Sequence, residues 1–92
     1  MDKDIINLKV AGSSNPSSVA GSAAKNLSEG KDVSLTGIGA GAVNQALKAA
    51  TIARSMVASQ GYDLYFTSGF SSEEVHGEIK TALKIFLHLR RS

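Results

Sequence analysis

Cysteine and tryptophan are absent from the 92 residues, proline occurs once, and three phenylalanines and two tyrosines supply all the aromatic surface. Without cysteine there are no disulfides and no thiolate metal ligands, which suits a reducing, cytoplasmic setting. No apolar run approaches the ~18 residues of a membrane span, so no membrane partner is expected. The opening MDKDIIN is acidic and polar where a secretory leader is basic and then apolar. No block of like charge marks a disordered tail, and ten Lys and Arg against eight Asp and Glu leave a net charge of +2. That balance alone is weak ground for a polyanion partner. Linkers, repeats and low-complexity tracts are missing too, so residues 1–92 are expected to form a single domain. A chain this short buries only roughly 60–65% of its unfolded surface, and a homo-oligomer would add stability.

What is present alternates. In IINLKVAG, Ile6, Leu8 and Val10 oppose Asn7 and Lys9, the period of a strand with one buried face. The next stretch reads as a loop and a helix: Asn15 is the N-cap, Pro16 takes the first helical position, and Gly30 ends the helix. Val19, Ala20, Ala23, Ala24 and Leu27 share one side of it. KDVSLTGI returns to alternation, AVNQALKAATIARSMVASQG is a second helix closed by Gly61, and YDLYFTSGF is a third strand. In EIKTALKIFLHLRR, Ile79, Thr81, Leu83, Ile85, Leu87 and Leu89 alternate with Lys80, Ala82, Lys84, Phe86, His88 and Arg90. So long and clean a pattern belongs to a central strand. The order strand-helix-strand-helix-strand-strand predicts an α/β two-layer sandwich, with a mixed four-stranded sheet and two helices on one face.

The run Gly37-Ile38-Gly39-Ala40-Gly41-Ala42 satisfies the letter of a dinucleotide fingerprint and sits between strand and helix. Its context fails: no acidic residue closes a following parallel strand, too little chain remains, and Ala42 and Val43 stand where a phosphate-binding loop needs Lys and Ser or Thr. The bare amides around Gly39 and Gly41 still suit a phosphate of a polymer, or simply allow a tight turn. On the second helix Ala49, Ile52, Ala53 and Met56 widen the apolar surface beyond what a sheet needs, which predicts a homodimer through that face. Asn44, Gln45, Lys48 and Arg54 are its polar residues. The uncovered sheet face is expected to carry Lys9, Ser34, Thr36, Lys80, Lys84, Phe86, His88 and Arg90. Cations around a ring suit nucleic acid, and they equally suit an ordinary solvated face that resists edge pairing. Arg90 and Arg91 reach a backbone as a C-terminal arm. His76, beside Gly77 in a hairpin turn with Glu73, Glu74 and Glu78 nearby, is a turn residue rather than a metal ligand. Ser13, Ser14, Ser17 and Ser18 have no sequence-local base, so no catalytic residues, metal or cofactor are expected and the chain reads as a non-enzyme.

The motifs LKVAGSSNPSSVAGSAAKNL and VSLTGIGAGAVNQALKAATIARSMVASQGYDL closely resemble the bacterial stage V sporulation protein S family. The likeness runs from about Leu8 to Leu64 and centres on Ile38 to Arg54; HGEIKTALK extends it more loosely. That family in turn looks like the Alba group of chromatin and RNA-binding proteins, which implies an Alba-like fold, a dimer, and binding of DNA or RNA by the first loop, the glycine loop and the hairpin. Alba proteins carry lysines in those loops, whereas SSNPSS and GIGAGAVNQ carry none. Binding would therefore rest on amides, Asn15, Asn44 and Gln45, with Lys9, Lys48, Lys80, Lys84, Arg90 and Arg91. It would be weaker and less salt-dependent. The resemblance implies a role in sporulation or developmental control. The other reading is a small-ligand (nucleotide) or protein-interaction module using the Gly37–Gly41 loop.

Overall fold

The computed structural model describes residues 4–92; Met1 to Lys3, the start of the acidic opening, lie outside the described residues. Six elements follow in the expected order: β1 (Ile5–Val10), α1 (Pro16–Ser28), β2 (Asp32–Gly37), α2 (Ala40–Ala58), β3 (Tyr62–Val75) and β4 (Glu78–Arg91). They form one four-stranded sheet in the order β1-β2-β4-β3. β1 runs parallel to β2, and β4 lies antiparallel to both β2 and β3. The last strand is central, as its alternation requires. Both helices pack on one face, giving two layers.

Local chemistry explains the boundaries. The Oδ1 of Asn15 accepts from the backbone N–H groups of Ser17 and Ser18 at 2.9 and 3.2 Å, and Pro16 follows with no N–H to satisfy. At the other end of α1, Gly30 adopts φ +82°, and the N–H groups of Gly30 and Lys31 bond back to the carbonyls of Leu27 and Asn26. That pair of bonds needs a left-handed residue, and glycine adopts it without steric cost. The β3–β4 turn is tighter still: His76 and Gly77 take φ +51° and +81°, the two-residue turn whose twist matches its strands.

The core is built on small residues. Ala20, Ala23, Ala24 and Leu27 of α1 and Ala46, Ala49, Ala50, Ala53 and Val57 of α2 are buried with Val10, Val33, Leu35, Leu64, Ile85 and Leu87 of the sheet. Alanines let the helices approach each other and the sheet closely. Ala49 and Ala53 are wholly inside this core, so they cannot touch a partner subunit; the chain's own fold covers them. Ile52 is half-buried against the same core, and of the four residues expected at a dimer face Met56 alone is exposed.

The hairpin is longer than its sequence pattern. β3 continues through the serines and glutamates to Val75, because every residue from Tyr62 to Val75 finds a partner on β4. Of β4, β2 pairs only with Leu83 to Leu87, so the distal third of the hairpin overhangs the sheet. Fourteen residues of flat strand would span roughly 46 Å at ~3.3 Å each, and the longest dimension of the molecule is 42 Å.

Candidate nucleic-acid interface on the open sheet face

Strand parity and register place three rows of side chains across the face that no helix covers. One row crosses the sheet as Asn7, Ser34, Phe86 and Thr67; the next as Lys9, Thr36, Lys84 and Gly69. On the other side of the first row lie Ile5, Asp32, His88 and Tyr65. Ser34 and Thr36 were expected to be open, but they are buried, at 5% and 4% exposure. Both hydroxyls donate to the Oδ1 of Asn7, at 2.9 and 2.8 Å, so the polar floor of the face is satisfied internally. Above that floor stand Phe86, 40% exposed, and Lys84, half-buried. Lys9, exposed on the neighbouring row, has no ion pair among the described residues, and neither has Lys84.

A second aromatic group occupies the β3 edge. The Tyr65 ring stacks on His88 with centroids 5.0 Å apart and planes 28° off parallel. Arg90 lies 4.9 Å over the same Tyr65 ring, and Thr67 Oγ1 shares a hydrogen bond with His88 Nε2 at 2.9 Å. Asp63 sits between Arg90 and Arg54, both at 3.1 Å, and these cations hold its carboxyl below the usual range, the hydrogen bond from Arg90 contributing most. Arg90 is thus tied to the edge, not free as an arm, and Arg91 lies 5.1 Å over the Tyr62 ring. Lys80 is out on the overhang, 3.8 Å from Glu78.

The two loops form a separate end of the molecule. Gly37 brings β2 against α2 so closely that a Cβ there would meet the backbone of Ala42 at 3.1 Å and of Val43 at 3.2 Å. Gly39 has φ +88° and starts α2 without a side-chain cap; Gly12 approaches Gly41 from the first loop. Gln45 ties the loops together by donating from Nε2 to the Ser14 carbonyl at 2.8 Å. Asn15 and Gln45 are therefore engaged in holding the loops. The overhanging hairpin bends over this end, and Glu73 and Glu74 line one groove with Lys9, Gly12, Ile38 and Ala42. Two carboxylates beside the loop amides oppose a phosphate there. Asn44 and Lys48 are exposed on α2, in the helical layer on the other side of the sheet.

The expected residues thus fall into three places: Lys9 and Lys84 on the open face, Asn15, Gly39, Gly41, Asn44 and Gln45 around the loops, and Lys48, Lys80, Arg90 and Arg91 scattered. Among the described residues no three His, Asp or Glu side chains gather closely enough to hold a metal, and no helix is long and apolar enough to cross a membrane. Sequence reading missed Asn7 and Tyr65. Asn7 shares Lys9's strand parity, and Tyr65 shares that of Asp63 and Thr67; the missing knowledge was the β3–β4 register that sets Tyr65 opposite His88.

The family model for stage V sporulation protein S (SpoVS) matches residues 6–90. The chain belongs to that family. SpoVS membership makes it a sporulation-related, regulatory protein. The match also takes in the hairpin, which the sequence motifs reached only loosely.

Proposed function

We propose that this SpoVS protein is a non-enzymatic, cytoplasmic regulator of sporulation or development that binds DNA or RNA as a homodimer. The observation that carries this reading is the central strand's outward pair, Lys84 and Phe86, on a sheet face left uncovered, with Lys9 one strand pair away. An ordinary solvated face places charge there but gains nothing from a ring 40% exposed. Cations that approach a phosphate backbone and a ring that meets a base make a nucleic-acid surface.

The dimer reading rests on apolar surface in a different place from Ala49 and Ala53. Phe66, Phe70 and Ile79 project from the helix-side face of the hairpin at 44%, 82% and 72% exposure, beside Leu47 of α2 at 38%. Phe70 and Leu47 line a groove with Val43, Ala82 and Leu83. A protruding ring and an apolar groove on one face are what a two-fold contact between identical chains requires. Polarisation or mobility-shift titrations at low salt against duplex DNA, single-stranded DNA and RNA test the binding. Absence of binding to all three rejects it.

A further inference from the structure

The groove on the open face, of about 430 Å³, is lined by Asn7, Ser34, Lys84 and Phe86, with Asp32 and His88 at one end. That volume falls within the ~300–1,000 Å³ of small-molecule sites. Phe86 has no ring or cation partner among the described residues, unlike Tyr65, which is stacked between neighbours. One edge of the ring lies beside Gly69 on the adjoining strand, where a Cβ would sit at ordinary contact distance, 4.0 Å from Phe86 Cε2. Two strands away, at about 10 Å between backbones, the Asn7 amide is fixed by the hydroxyls of Ser34 and Thr36. Both lone pairs of its Oδ1 are consumed, and its Nδ2 has no acceptor among the described residues. The amide therefore presents only N–H donors, already oriented, across the groove from an open ring.

We propose that this groove takes one unpaired nucleobase of a single strand, stacked on Phe86 and hydrogen-bonded through a base carbonyl to Asn7 Nδ2. The inference rests on the nucleic-acid reading above and adds which form of the polymer is bound and what is read. A duplex keeps its bases stacked on each other and cannot supply this contact. Asparagine ordinarily grips adenine by pairing its carbonyl and amide with N6 and N7; with its oxygen already occupied, that grip is unavailable here. Uracil and thymine, with two carbonyl acceptors, fit the donor-only amide. Lys84, lining the same groove, reaches a flanking phosphate.

Fluorescence polarisation of the full chain with single strands of about twelve nucleotides, oligo(U) and oligo(A), and with a duplex of equal length, separates the outcomes. Oligo(U) is expected to bind more tightly than oligo(A) and than the duplex. Phe86→Leu, which keeps apolar volume but removes the ring, should weaken oligo(U) binding by about five-fold or more. Asn7→Asp still accepts from Ser34 and Thr36 and so keeps the fold, but it should abolish the preference for oligo(U) over oligo(A). If nucleic acid binds and both variants retain wild-type affinity and preference, the base site is wrong while the nucleic-acid reading stands. If no nucleic acid binds, both are wrong. Uridine monophosphate binding as tightly as oligo(U) would overturn the strand as the occupant in favour of a free nucleotide.

Discussion

Asn15 is the N-cap that the sequence led one to expect. Its carboxamide oxygen holds two N–H groups at the start of α1, which stabilises the helix end. Asn15→Ala should cost about 0.5–2 kcal/mol in denaturant unfolding, with nucleic-acid affinity unchanged. Gly37 is constrained by space rather than by φ: a Cβ would press on the backbone of Ala42 and Val43. Gly37→Ala should therefore cost about 1–3 kcal/mol through overpacking, read from the same unfolding curves. Asp63 carries the residue-scale pH dependence. Its pKa in the fold lies below the ordinary 3.8, so its contribution is fully present above 3.8 and is lost as pH falls through the lowered value. The stability gap between wild type and Asp63→Asn should stay constant from neutral pH down to that range and close only below it.

At the scale of elements, the second helix and the hairpin carry the apolar surface on which the proposed homodimer rests. Ala53→Asp would place an unpaired charge in the core and should unfold the chain. Phe70→Asp or Leu47→Asp changes exposed positions and should leave the circular dichroism of the wild type while converting dimer to monomer in light scattering. A dimer that survives both substitutions contradicts the hairpin-side interface. The strands and helices were legible because each carries one clean period, and the caps Asn15, Gly30 and Gly61 sit where the chemistry of helix ends puts them. Which apolar surface stays uncovered was not. Periodicity marks Ala49 and Ala53 as apolar, but it cannot say whether α1 or another subunit covers them, and here α1 and the sheet do. β3 was read too short because Ser71, Ser72, Glu73 and Glu74 lack strand character of their own and are held extended by pairing with β4.

Across the whole molecule, charge is divided by the fold. Arg54, Arg90, Lys31 and Lys80 are paired with carboxylates, and Glu73 and Glu74 lie beside the loops that the glycine pattern made attractive. Lys9 and Lys84 remain on the open face. Their place in the sequence showed that they share a side; the register showed that they stand two strands apart, on either side of the same buried threonine. With two such lysines per chain, and four in a dimer, the logarithm of single-strand affinity should fall against the logarithm of salt concentration with a slope no steeper than about −3. The most direct test of the account is a low-salt polarisation titration of wild type and Lys84→Ala with single-stranded RNA, single-stranded DNA and duplex DNA. Saturable binding by the wild type that weakens in the variant is the expected result. Binding that is absent, or that is untouched by loss of Lys84, contradicts it.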